Sequence, residues 1–428
     1  MRARLPPVGL CVAALSAATV AAAQSLSGYF PPGVPGYNTE EGVTVQTRER
    51  PLYDPIGTRV GSYIVRPNLD QSFAYDDNVF GGSNSPGSWI VRTNPSVAIN
   101  SDWSQNSLNG YLGLDNYRYL DTPSQSRTNW VASLGGSVRI GNNTITLAAS
   151  HFSLHQDRTD LDALPSDTPI AYQVEDVRVA DKVDLGRITV TPGLDAQYWH
   201  FDNTTIFGVP SSQAYRDRDV LEGTVTTRYE LASLRSLVLV LEALDSHYTE
   251  PPAGAPSRNS TGYLALAGID YELDGMWRYR LLGGYELRDF SAPQYAAHGA
   301  PIAEADVTFM PSGLTTITGR LTRSIEDAAQ EGVSGYTYTS AKLMLDHEYL
   351  RNVLLHAHAG IECANYLQGG GTETSFGLGA GVTWLVNQHV RVSASYSFTN
   401  QTSTDGAQTL GGSHFTRNVY LLTLGFAR

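Results

Sequence analysis

Lysine is nearly missing from this chain: among 428 residues only Lys182 and Lys342 carry it. Acidic residues outnumber basic ones, and the formal net charge is -13. Nucleic acid is therefore excluded as a partner, because its recognition calls for a basic face. Cysteine is equally scarce, with Cys11 and Cys363. Cys11 falls in a stretch read below as removed, so no intrachain disulfide can form and a disulfide-stapled scaffold is excluded. No run of ~18 apolar residues occurs, which excludes a transmembrane helix.

The first residues read as an export signal. Arg2 and Arg4 precede a small-residue and apolar stretch, 5–20, and Ala21-Ala22-Ala23 before Gln24 gives an A-x-A cleavage pattern. The alternative, a membrane anchor, lacks the length and apolarity of a span. Cys11 sits inside the apolar stretch rather than at the cleavage point, against a lipoprotein. Two choices then remain: a soluble secreted protein or a membrane β-barrel.

What is abundant decides between them. Tyrosine (24) and glycine (41) dominate, and from about Ile64 onward nearly every segment alternates with period two. Val390, Val392, Ala394, Tyr396 and Phe398 alternate with Arg391, Ser393, Ser395 and Ser397. Tyr263, Ala265, Ala267, Ile269 and Tyr271 alternate with Gly262, Gly268, Asp270 and Glu272. Segments of ~10–13 residues exceed ordinary globular strands and match the ~9–11 needed to cross a bilayer with tilt. Aromatic residues stand at the ends of the apolar rows, as in Trp277 with Tyr285 and Phe376 with Trp384. Girdles at two membrane interfaces produce this pattern.

The expected fold is all-β: a transmembrane antiparallel up-and-down barrel of about 18 strands, within 16–18. Short connections (Gly141-Asn142, Gly186, Asp274-Gly275, Pro311-Ser312, Leu350-Arg351) alternate with long ones (76–89, 154–171, 200–219, 247–260, 289–300, 324–335, 400–414). Short periplasmic turns and long extracellular loops give this alternation, with both termini in the periplasm. The chain divides into 1–23, a signal peptide; 24–63, a periplasmic N-terminal arm or a lumen plug; and 64–428, the barrel. Because 24–63 is Pro/Gly-rich and then polar without period, the free arm is the favoured reading.

Inward rows are where function is expected. Arg278, Arg280, Lys342, His356 and His358 mix with Asp270, Glu272, Asp274 and Glu286 as candidate lumen-lining residues. Such charges can line an aqueous channel or pair across neighbouring strands. His356, His358 and Glu362 share a face, but no fourth ligand is placed, so no metal site is read there. Asp157, Asp160 and Asp162 read as a solvated acidic loop rather than a cation site. Gly377, Gly379 and Gly381 precede no helix and read as small inward residues, not a nucleotide fingerprint. Ser150 and His151, being neighbours on a strand, point to opposite faces, and no catalytic triad can be assembled. We therefore expect no enzyme and no cofactor.

Tyr75-Asp76-Asp77-Asn78-Val79-Phe80, closing the first strand, resembles the Tyr-Asp-Asp-Asn start of a family of outer-membrane β-barrel porins, beta-barrel porin 2-like. The final strand, Tyr420-Leu421-Leu422-Thr423-Leu424, is similar to that family's ending. The resemblance covers about 60–428. It implies a barrel of alphaproteobacteria, often associated with exopolysaccharide loci, and brings no catalytic residues. Locally, Asp76-Asp77-Asn78 favours an Asx-type turn opening the first external loop. Tyr420, Leu422, Leu424 and Phe426 also resemble the signature read by barrel-assembly machinery, although Ala427-Arg428 follow the aromatic. Expected partners are outer-membrane lipid, that machinery, and polysaccharide or periplasmic export components. The expected function is a porin-like pore for polar solutes or exopolysaccharide. The alternative is a closed structural barrel that presents loops or docks a periplasmic partner.

Overall fold

The computed structural model describes residues 26–31, 33–37, 43–252, 254–273, 275–404 and 414–428. The signal-peptide reading of 1–23 and Asp274 lie outside the described residues. Eighteen long strands form the wall. They are β1 (Tyr63–Asp76), β2 (Ser88–Ser101), β3 (Ser107–Tyr119), β4 (Arg127–Ile140), β5 (Asn143–Gln156) and β6 (Ile170–Asp184). Then come β7 (Ile188–Phe201), β8 (Arg218–Ala232), β9 (Arg235–Tyr248), β10 (Ser260–Leu273), β11 (Trp277–Phe290) and β12 (His298–Ser312). The last six are β13 (Thr315–Glu326), β14 (Tyr336–Leu350), β15 (Val353–Tyr366), β16 (Thr372–Leu385), β17 (Val390–Ser403) and β18 (Phe415–Ala427).

Each strand pairs antiparallel with its sequence neighbours, and β1 pairs with β18 from Asn68↔Ala427 to Asp76↔Val419. The sheet is therefore closed, and its backbone groups find partners inside the wall, as a bilayer requires. A short strand, Thr58–Val60, folds back on Tyr63–Val65 below the end of β18 and covers that free stretch of β1. Among the described residues no helix is long and apolar enough to cross a membrane.

Period-two alternation places one row outside and one inside. Leu343, Leu345, Tyr263, Tyr285, Trp384 and Tyr420 are exposed on the outer face. Water would penalise that much apolar surface; lipid does not. Short turns gather at one end, with Gly141 and Gly186 in the left-handed region (φ 61° and 87°) that tight turns demand. One expected turn moves: Pro311-Ser312 continues β12, and the reversal falls at Gly313-Leu314. The long connections gather at the opposite, extracellular end.

The favoured reading of 24–63 as a free arm does not hold for its described part. Leu26, Val34, Tyr37 and Val45 are buried. Their neighbours are inward residues of the wall: Phe152 and Leu154 for Leu26, Ala148 for Val34, Leu354 and Leu385 for Val45. The segment starts near the long-loop ends of β5–β7 and leaves near the short-turn ends of β13–β16. A Pro/Gly-rich stretch has no period of its own, yet it can follow the irregular inside of a barrel because its partners supply the order.

The filled lumen as candidate functional site

The plug meets the wall through specific contacts. Tyr37 donates its hydroxyl to Asp176 Oδ1 at 2.8 Å, and Asn109 donates to the Gly33 carbonyl at 2.7 Å. The Arg178 guanidinium lies over the Phe30 ring, 4.2 Å from its centroid. A methyl at Gly135 would collide with the Pro35 carbonyl, and one at Gly36 would come 2.7 Å from the Ala148 methyl. Glycine on both surfaces lets backbone approach backbone. Lower down, Gln46 donates to Asp346 at 2.6 Å and lies 2.7 Å from His356 Nδ1. Arg48 and Arg50 both bind Glu348, the latter at 3.0 Å.

The candidate lumen residues divide according to this plug. His356 lies 2.8 Å from Asp346 and belongs to the plug contact. His358 fills the space left by Gly379, where a methyl would strike its ring. Glu362 binds Lys342 at 2.7 Å and accepts from Tyr338 at 3.0 Å. The two histidines and Glu362 therefore serve separate neighbours. Among the described residues no three His, Cys, Asp or Glu side chains are grouped to hold a metal ion.

Along β8–β13, between the two regions where the segment is seated, the charged pairs are partly exposed. Arg228 pairs with Asp270 (3.0 Å), Arg278 with Glu272 (2.9 Å), Arg280 with Glu304 (3.3 Å) and Arg320 with Asp306 (2.9 Å). The side chains of the last pair are 48% and 44% exposed, whereas Arg50 and Glu348 under the plug are 8% and 9%. Pairing fixes these side chains without burying them. Glu286 accepts from the Ile325 backbone at 3.2 Å. Cross-strand pairing thus organises these charges on β8–β13.

At the long-loop end the interior is packed by residues that alternation does not mark. Loop 327–335 folds inward, and the Asp327 carboxylate accepts from Arg288 (2.7 Å) and forms an ion pair with Arg218 (3.2 Å). Arg258 donates to the Ala328 carbonyl at 2.7 Å. Ala329 N–H donates to Asp162 at 2.8 Å. The expected solvated acidic loop is corrected here: Asp162 is fully buried, with its backbone N–H on Glu373 at 2.9 Å. Burial pushes its carboxyl up to about 8, against the Ala329 hydrogen bond and the field of Arg216. A sequence signal for this region is the alternating-charge run Arg216-Asp217-Arg218-Asp219, which leads into β8.

The Tyr-Asp-Asp-Asn motif closes the barrel. Asn78 N–H donates to Asp76 Oδ1 at 3.0 Å, an Asx turn. Asp77 accepts from both the backbone N–H and the side-chain amide of Asn418 on β18, each at 2.7 Å. Asn78 donates to the Thr416 carbonyl at 2.8 Å, and Tyr75 packs its ring on Trp89 outside. Ser150 bonds Ser133 inside, while His151 meets Glu175 and Trp130 outside, so the two point apart.

The family model described as "Putative beta-barrel porin 2" matches residues 50–427. The chain belongs to that family. Its place is thus among the porin-like outer-membrane barrels. No curated protein matches the chain. Among solved structures, the FrpB iron transporter from Neisseria meningitidis aligns with TM-score 0.47 and 9% identity, over 84% of this chain and 66% of that one. OpdK from Pseudomonas aeruginosa aligns with TM-score 0.44 and 9% identity, over 85% and 99%. OccK2 (OpdF) of the same organism, solved with glucuronate, gives 0.45 and 10%, over 85% and 98%.

Proposed function

We propose that this family member is a gated outer-membrane pore for polar solutes, exported polysaccharide among them, whose gate is its own N-terminal segment, described at 26–31, 33–37 and 43–56. One observation carries the reading. The charged row of β8–β13 stays partly exposed and pre-paired, while the segment is seated on β3–β6 and on β13–β16 to either side of it. A barrel meant only as a scaffold has no use for an unfilled charged wall beside a filled one. Export would proceed through the signal at 1–23 and insertion through the assembly machinery acting on β18. The reaction class is passage, with no bond made or broken.

Single-channel conductance of the refolded mature chain in a planar bilayer tests this, with and without residues 24–56. The intact chain should show small or rare steps, and the shortened chain large stable ones. Silence from both, with the barrel folded, would instead support a closed barrel that presents loops or docks a periplasmic partner.

A further inference from the structure

Asp327, Ala328 and Ala329 sit in a pocket that has the composition of a ligand site. Tyr172, Trp199 and Phe201 form its floor, with rings stacked within 20° of parallel and centroids 5.3–6.2 Å apart. Arg216 lies over Phe201 at 4.0 Å and Arg218 over Trp199 at 4.5 Å. The Asp327 carboxylate takes Arg288 and Arg218, while the Ala329 methyl packs into the aromatic cluster. An anionic group on two guanidiniums, joined to an apolar face on rings, is how a small carboxylate would be held.

Two further features say that the occupant is replaceable. Arg216 is 1% exposed, yet its Nε and Nη2 have no hydrogen-bond partner among the described residues. Buried donors of that kind are costly unless something larger takes them up. The strand that carries the occupant also loses one of its two neighbours early. Pairing of β13 with β12 ends at Ala303↔Arg323, although β12 runs on to His298, so beyond Arg323 the strand keeps backbone pairing with β14 only, up to Glu326↔Tyr336, and loop 327–335 is held by side chains. Glu326 and Glu286 face Arg288 as well. An added carboxylate would meet them, so an incoming ligand exchanges with Asp327 and does not join it.

We propose that this pocket binds a carboxylate borne on a ring, a uronate or an aryl carboxylate, and that Asp327-Ala328-Ala329 holds it as an internal stand-in. The inference supplies a ligand class for the pore read above and rests on that reading. Its test needs no conduction, so the two can fail separately.

Trp199 provides the signal. It is 5% exposed, while the other five tryptophans are 36–56% exposed. The refolded chain in micelles is titrated with galacturonate and with benzoate, and with galactose and benzamide as uncharged counterparts. Asp327→Asn should bind at least one carboxylate with Kd roughly ten-fold lower than the parent, since the competent state is no longer taxed by the stand-in. Tyr215→Phe, which removes the hydroxyl donated to the Ala329 carbonyl at 2.7 Å and leaves every charge around Asp327 in place, should act in the same direction. Arg288→Gln should weaken binding, and Trp199→Phe should abolish the signal. Which carboxylate responds tells a sugar acid from an aryl acid. No carboxylate-dependent change in Asp327→Asn and Tyr215→Phe, with both barrels still heat-modifiable on gels, overturns the proposal. So does equal binding of the uncharged counterparts.

Discussion

Arg417 on β18 donates to Asp76 on β1 through Nε at 3.0 Å and Nη2 at 2.7 Å, and Asp76 is fully buried. This two-pronged pair sits at the long-loop end of the seam where the last strand meets the first. Removing one partner leaves the other charged, buried and uncompensated. Asp76→Ala should therefore destabilise the barrel by ~3–5 kcal/mol. Arg417→Ala should cost about as much, and the double variant less than the sum of the two. Urea unfolding in lipid vesicles reads all three. A single variant within about 0.5 kcal/mol of the parent would mean that the seam is held by its backbone ladder alone.

The lipid face gives a second, independent number. Leu343 is 55% exposed on β14, paired with Gly319 and Ala359 on neighbouring strands. Arginine there, near the midplane, should cost ~2–4 kcal/mol in vesicle unfolding. Unchanged stability would mean that this row does not face hydrocarbon.

Fit between plug and wall can be broken by one carbon. Gly135→Ala places a methyl against the Pro35 carbonyl. Such overpacking typically costs ~1–3 kcal/mol, and here the weaker surface, the plug, should yield. Cleavage of 26–56 by added protease should speed up, and conductance steps should grow. Gly223→Ala, whose methyl would meet Leu194 at an ordinary 3.6 Å, serves as the control and should change neither. Equal protease resistance of both variants would show that the segment is not seated by this contact.

Alternation made the wall legible from the sequence because inside and outside differ chemically at every step of a strand. All eighteen strands, the outward row of β14 and the Asx turn at Asp76 follow from local pattern. The interior does not. Tyr37 reaches Asp176, 139 residues away, and Arg216, Arg218, Arg258 and Arg288 converge from two loops and two strands. Alternation says that Gly135 and Ala148 point inward. It cannot say that they are small because Val34, Pro35 and Gly36 lie on them. For the same reason His356 and Arg320 look alike in sequence, although one lies under the plug and the other faces open lumen.

Acidity near neutrality should act through the inward loops. Asp162 holds its proton up to about 8 when loop 157–169 packs on 327–335, against an ordinary ~3.9 when released. The packed state therefore binds the extra proton. Its stability is full below the ordinary value, falls as pH rises between the two and levels off above about 8. Arg216, Glu373, Tyr336 and Tyr366 face the same carboxyl, and Arg216 and the Ala329 N–H already oppose the shift. Hydrogen exchange of 327–335, corrected for its intrinsic pH dependence, should thus become less protected from pH 5 to pH 8. Asp162→Asn keeps an acceptor for Ala329 and cannot ionise. It should flatten that slope and hold the low-pH protection throughout. A slope as steep in Asp162→Asn as in the parent would place the titrating group elsewhere. A protected loop at high pH would mean that burial does not hold Asp162 neutral.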